Sequence, residues 1–245
     1  MLISCAVKPP TATPSPASLA PYRDAGCDAV HLAWSRLEPS EILPWLQSAN
    51  LHLSGVDVGT FDAAAKADVT ATITRIQTRM EWARAVGSTN ICLGTGERRG
   101  QPWTILSEGI QEILPAANDH GLDVHVLNAR DTTIEQIEDL RRLFADIRHP
   151  RLRLALDIGA FHASAVNPRD ALGEFADLVG CIRVSDRIGQ RPVPLGQGKV
   201  NLQRIIHQAA KCRYRGWFVL DPCENRDSGT TASPADAVAY LRKLG

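Results

Sequence analysis

Short apolar runs alternate along the chain with longer segments whose apolar residues recur at helical spacing. The β-like runs are Leu2–Ala6, Ala29–Ala33, Leu53–Asp57, Asn90–Leu93, Asp123–Leu127, Leu152–Asp157, Cys181–Ser185 and Trp217–Leu220. Between them, Val69–Val86, Trp103–Asn118, Thr133–Ile147, Asn167–Leu178, Asn201–Cys212 and Pro234–Leu244 read as helices. Thr132 and Thr133 ahead of Glu135, and Ser233 ahead of Pro234, look like helix starts. Strand–helix alternation from end to end predicts a mainly parallel sheet. Eight such units in 245 residues favour a closed (β/α)8 barrel, an α/β TIM barrel spanning 1–245 as a single domain. A doubly wound sheet would usually carry a glycine-rich turn after its first strand. Here that turn is KPPTATPSPAS, without a GxGxxG.

Composition leaves this picture intact. Apolar residues make up 44% and charged residues 22%, enough for a full core. Lys plus Arg equal Asp plus Glu at 27 each, so no general affinity for nucleic acid or membrane is expected. Six cysteines are scattered without CxxC or CxxH spacing, which fits a reducing compartment rather than a structural zinc site. The N-terminus opens directly into LISCAV, with neither a basic leader nor a long apolar span, so a cytoplasmic location is expected.

A barrel carries its chemistry at the C-terminal ends of its strands. Read there, the chain offers His31, Trp34 and Arg36; Asp57 and Asp62; Gly94 through Arg99; His125 and Asn128; Asp157 and His162; Arg183 and Asp186; and Asp221 with Glu224. Acids and histidines gathered at one mouth suit a divalent cation or acid/base work on a polyol. Asp157 and Asp221 each end an apolar run, LRLALD and WFVLD. Either could merely cap a helix, but two in equivalent places favour a site. His125, in mid-strand, reads equally as a core histidine or a ligand. His31 and His162 read better as hydrogen-bonded loop residues. Arg183 lies within a strand and must be paired or face the lumen. It is either the structural partner of Asp157 or Asp221, or an anchor for a substrate anion. Neither GTGERRG nor PLGQGK meets the P-loop pattern, no GxSxG elbow is present, and Cys223 beside the last strand, with His162 as its candidate base, reads better as a chance arrangement than as a nucleophile.

Four segments carry a family resemblance: AGCDAVHL, LALDIGAFH, RVSDRIGQRPVPLGQGKVNLQRII and YRGWFVLDP. In that order they resemble the xylose isomerase-like TIM barrels, a superfamily of sugar isomerases, epimerases, dehydratases and endonuclease IV. The resemblance implies a divalent metal held by a glutamate on strand five, an aspartate on strand six, a histidine on strand seven and a glutamate on strand eight. Transferred residue by residue, Asp157 matches the strand-six aspartate and Asp221 stands for the strand-eight glutamate. His125, in VHVLN, falls at the strand-five glutamate, unless a shift of one or two residues puts Leu127 or Asn128 there, and His31 replaces a glutamate on strand two. Ala160 stands where a further histidine is usual, with His162 two residues on. Arg183 falls at the strand-seven histidine, and an arginine has no lone pair to give a metal.

The leading expectation is therefore an enzyme acting on a sugar- or polyol-like small molecule by proton transfer, as an isomerase, epimerase or lyase. Asp157, Asp221, His125 and Arg183 would be catalytic. His31, Asn128, His162, Asp186 and Glu224 would bind substrate. One divalent metal (Mn, Mg or Zn) on Asp157, Asp221 and His125 is the implied cofactor, put in question by Arg183. The rivals are a metal-independent lyase or cyclase and a non-catalytic barrel serving as a subunit or small-molecule binder. No nucleic-acid or membrane partner is expected, and a homo-oligomer is left open.

Overall fold

The computed structural model describes residues 1–9, 15–221, 224–225, 230–231 and 233–245. Its centre is built by β1 (Leu2–Val7), β2 (Ala29–Ala33), β3 (His52–Phe61), β4 (Asn90–Thr95), β5 (Asp123–Leu127), β6 (Leu152–Asp157) and β7 (Val179–Val184). After β7 comes a hairpin, β8 (Asp186–Ile188) with β9 (Arg191–Val193), and then the last barrel strand, β10 (Trp217–Leu220). The strands close in the order β1-β10-β7-β6-β5-β4-β3-β2, with every neighbouring pair parallel. This is the (β/α)8 barrel expected from the alternating pattern.

The intervening helices are α1 (Ala20–Asp24), α2 (Pro39–Ala49), α3 (Lys66–Ala85), α4 (Trp103–Asp119), α5 (Ile137–Asp146), α6 (Ile158–Ala163), α7 (Pro168–Glu174), α8 (Leu202–Lys211) and α9 (Pro234–Leu244). Their apolar faces pack on the outside of the strands through buried residues such as Ile76, Met80, Ile110, Leu143, Ile205 and Leu241. Burying such side chains contributes about 1.5–3 kcal/mol each. No helix among the described residues is long and apolar enough to cross a membrane.

Two expected helix boundaries are displaced. α5 starts at Ile137 rather than Thr133. Thr133 instead bonds the Gly96 carbonyl through its backbone N–H (2.9 Å) and hydroxyl (3.1 Å), tying this loop to the end of β4. The helix is opened by Asp139, whose carboxylate accepts from the Gln136 and Glu135 amides at 2.7 and 3.0 Å. The segment expected as one helix over Asn167–Leu178 divides into α7 and a 3-10 turn at Ala176–Leu178. The Ser233–Pro234 start is as expected, with Ser233 preceding the first turn of α9.

The lumen is filled by small side chains. Cys92, Ala155, Cys181 and Val219 form one buried cluster, flanked by Ala6, Leu127 and Trp217. Between β6 and β7 the register shifts at Leu154/Ala155, so Gly180 is an extra residue in the β7 ladder. Its missing side chain leaves room for the His125 ring, since a Cβ there would stand 2.3 Å from His125 Nε2.

Candidate active site

Asp57 within β3, Asp157 at the end of β6, Arg183 near the end of β7 and Asp221 just after β10 meet at the mouth of the barrel. Arg183 is buried and its guanidinium is the hub. Nε and Nη2 donate to Oδ2 and Oδ1 of Asp221 at 3.2 and 2.5 Å, while Nη1 donates to both oxygens of Asp57 at 2.8 and 3.0 Å. All four oxygens of the two carboxylates are thus taken by one cation. Arg183 carries five N–H groups, so one Nη2 N–H has no acceptor among the described residues.

Asp57 is held further by His31, whose Nε2 lies 3.2 Å from Asp57 Oδ1. Burial alone would raise the Asp57 carboxyl, but the charges of His31 and Arg183 outweigh it and hold the group well below the usual carboxylate range. Burial alone would strip the proton from His31. The Cys92 sulfur and the Asp57 carboxylate act in the opposite direction, and the ring rises to about 9. His31, Asp57 and Arg183 therefore form a charged chain at neutral pH.

Asp157 is different. Its Oδ1 accepts from the Ala160 amide at 2.8 Å, capping α6. Burial first, and repulsion from Asp221 second, push its carboxyl up to about 6, against the pull of the Ala160 N–H, Arg183 and Arg187. A carboxyl that exchanges its proton near neutrality, beside a guanidinium with a free N–H, can act as acid or base on a bound molecule.

The other expected residues are placed variously. Asn128 is fully buried and committed to the backbone of Asp157, donating to its carbonyl at 3.0 Å and accepting from its amide at 2.8 Å. Asp186 accepts from four backbone amides, those of Arg187, Gly196, Gly198 and Val200, at 2.9–3.1 Å. It shapes the PLGQGKV loop from within, and a Cβ on Gly198 would fall on its Oδ1, so the loop's glycine is required by this close approach. His162 sits half-buried on α6. Cys223 and the side chain of Glu224 lie outside the described residues. His125 faces the lumen below the mouth, beside Cys92 and Cys181.

Two groups of described side chains have metal-binding spacing, Cys92–His125–Cys181 and His31–Asp57–Cys92. Neither contains Asp157 or Asp221, so the implied ligand set Asp157–Asp221–His125 is not brought together. The mouth does not fit the implied divalent cation. Arg183 occupies the space between Asp57 and Asp221, saturates their oxygens and offers no lone pair.

Asp57, Cys92 and Cys181 are missing from the site expected from sequence. Asp57 ends an apolar run as Asp157 and Asp221 do, which is a usable signal. The two cysteines looked like ordinary small core residues.

Residues 19–244 match the sequence profile of the xylose isomerase-like TIM barrel. The chain belongs to the xylose isomerase-like TIM-barrel family. Solved members share its architecture. A xylose isomerase domain protein from Planctomyces limnophilus aligns over 99% of this chain and 96% of that one, with TM-score 0.80 and 18% identity. A D-tagatose 3-epimerase-like protein aligns over 98% and 96%, with TM-score 0.80 and 17% identity. The IolI protein, in a crystal structure with a binding zinc atom, aligns over 98% and 95%, with TM-score 0.79 and 13% identity. At these identities the likeness is one of fold. No curated protein sequence matches the chain. Within the family, this member keeps the barrel, the strand-six aspartate and an acid on the last strand, and puts a guanidinium where the resemblance implies a metal ligand.

Proposed function

We propose that this barrel is a proton-transfer enzyme for a small, polyoxygenated carbonyl compound of the sugar or polyol class, working at the mouth without a divalent metal there. The observation that carries the reading is Asp157, whose carboxyl titrates near 6 beside Asp221 and Arg183. Asp157 takes the proton from the carbon next to the substrate carbonyl and returns it, to the same or the neighbouring carbon. The free Nη2 N–H of Arg183 bonds the enolate oxygen as charge develops on it. Asp57 and Asp221 hold the guanidinium in place, and His31 fixes Asp57. Return of the proton to the neighbouring carbon on the same face, with the hydroxyl proton passing to the former carbonyl oxygen, gives an isomer; delivery of the same proton from Asp157 to a departing β-hydroxyl releases water and gives a dehydrated product. The fold shared with an epimerase-like protein supports the substrate class.

One observation favours a second reading, a barrel that binds a small molecule without turning it over: Arg183 spends most of its donors on Asp57 and Asp221. Proton exchange separates the two. The protein is incubated in D2O with EDTA and a panel of ketoses and keto-polyols, and C–H signals next to the carbonyl are followed by NMR. Catalysed exchange of at least one substrate, lost by a hundredfold or more in Asp157→Asn, supports the enzyme. Exchange at the background rate for the whole panel, or unchanged in Asp157→Asn, refutes it.

A further inference from the structure

Below the mouth, independent of the chemistry proposed there, the lumen holds Cys92 from β4, His125 from β5 and Cys181 from β7. One ligand atom of each lies within 4.8 Å of the other two, and all three residues are buried. The sulfurs of Cys92 and Cys181 are 3.9 Å apart. That is too far for a disulfide, whose sulfurs stand about 2.05 Å apart. It matches the edge of a tetrahedron with metal–sulfur bonds of about 2.3 Å, which is about 3.8 Å. The imidazole adds an independent sign: Nδ1 of His125 is buried and has no hydrogen-bond partner among the described residues. Buried polar atoms are nearly always satisfied, so an orphaned nitrogen on a ring that belongs to this cluster points to a missing ligand. The β6–β7 register shift and Gly180, with no Cβ to block the ring, are what give His125 this position.

We propose that Cys92, His125 and Cys181 bind one zinc ion inside the barrel. Two thiolates and a neutral imidazole around Zn2+ make a site of zero net charge, which suits a lumen otherwise lined by Ala155 and Val219. Thiolate sulfur also selects zinc over magnesium or manganese. Binding displaces two thiol protons: both cysteines lose S–H, both sulfurs bond the ion, and two protons leave to solvent. The second group of ligand spacing shares Cys92, but its His31 is protonated and bonded to Asp57, so the fourth position falls to water.

Cobalt replaces zinc in such sites and reports its ligands by colour. The full chain, reduced and stripped of metal, is titrated with Co2+ and then with Zn2+. The expected result is thiolate-to-cobalt charge transfer and tetrahedral visible bands, saturating at one ion per chain and abolished by one equivalent of zinc. Apparent affinity should fall about a hundredfold per pH unit on acidification, as release of two protons requires. Cys181→Ala and His125→Gln should each lose the charge-transfer band or at least half of it, while Cys212→Ser keeps it. Absence of a thiolate–cobalt band in the wild-type protein overturns the proposal, whatever the variants do. So does a band unchanged in Cys181→Ala, which would place the ion elsewhere.

Discussion

Arg183→Met removes the cation at the mouth while keeping much of the side chain's length. In the wild type, Arg183 donates to all four oxygens of Asp57 and Asp221. Two unit charges about 4 Å apart at an effective dielectric of about 20 attract by ~4 kcal/mol. Desolvating the guanidinium cancels much of that, so the cost of substitution lies in the two carboxylates left behind. Removing one partner of a fully buried pair costs about 3–5 kcal/mol. Here Asp57 and Asp221 retain 30% and 27% of their side-chain exposure, and water takes over part of the Arg183 role. His31 also still bonds Asp57. We expect a loss of about 2–3 kcal/mol at pH 7, a fall in Tm of roughly 5–10 °C for a chain of this length. The sign of the pH dependence provides an internal check. Asp57 has a folded pKa held below its unfolded value, so its contribution is complete above about pH 4 and is lost as pH falls through the folded value. Without Arg183 the carboxylates repel one another and bind protons more readily in the folded state. The deficit of the variant should therefore shrink between pH 7 and pH 4.5. Urea unfolding followed by circular dichroism at both pH values measures this, with equal m-values required for the comparison. Equal stability of variant and wild type at pH 7 would refute the charge argument. A deficit unchanged at pH 4.5 would assign the loss to packing instead.

His31→Gln should flatten the alkaline limb of stability. The ring's folded pKa of about 9 lies above its ordinary 6.5, so its contribution is complete below 6.5 and is lost as pH rises through 9. The wild-type-minus-variant difference should fall by roughly 2–3 kcal/mol over that window, and a constant difference would sink the idea. Asp157→Asn keeps a helix cap while removing a carboxyl that burial and Asp221 push up to about 6. A raised acid costs stability above its folded pKa, so Tm at pH 7 should be equal or higher while proton exchange is lost; a Tm several degrees lower would contradict this. Asp186→Ala leaves four backbone amides, three of them in the PLGQGKV loop, without their acceptor. Hydrogen exchange over 196–200 should quicken at least tenfold, and unchanged protection there would mean that the carboxylate does not organise the loop.

The barrel was legible because its signals are local. Eight apolar runs fell within a few residues of the eight barrel strands, and Ser233–Pro234 marked the start of α9. The misplaced start of α5 shows where local reading stops. Thr132 and Thr133 have helix-start chemistry, but Thr133 spends its N–H and hydroxyl on Gly96, 37 residues earlier, and the start passes to Gln136 and Asp139. Strand β3 runs to Phe61 past the expected end at Asp57, across an irregularity that pairs Thr60 with Gly94. No spacing rule anticipates it.

The mouth obeys the same logic at longer range. Reading the last residue of each apolar run found Asp157 and Asp221, the same rule applied to LSGVD also finds Asp57, and Arg183 stood out as a charge inside its run. What the chain order hides is who pairs with whom. Arg183 reaches Asp57 across 126 residues and Asp221 across 38, whereas Asp157, its neighbour in the β6–β7 register, spends one oxygen on the Ala160 amide. That division sets the two acids apart. Asp57 gains two cationic neighbours and is held ionised; Asp157 gains an anionic neighbour and burial, and is lifted towards neutrality. The same signal, an aspartate after a run of apolar residues, thus yields a structural anion in one place and a proton-exchanging group in another. Burial and the charges each acid faces, with Arg183 bonded to Asp57 and not to Asp157, decide which is which. A change at Arg183 should therefore alter the titration of Asp157 as well as the stability of the mouth, and the pH profile of proton exchange in Arg183→Lys, which keeps the charge, should lie closer to wild type than that in Arg183→Met.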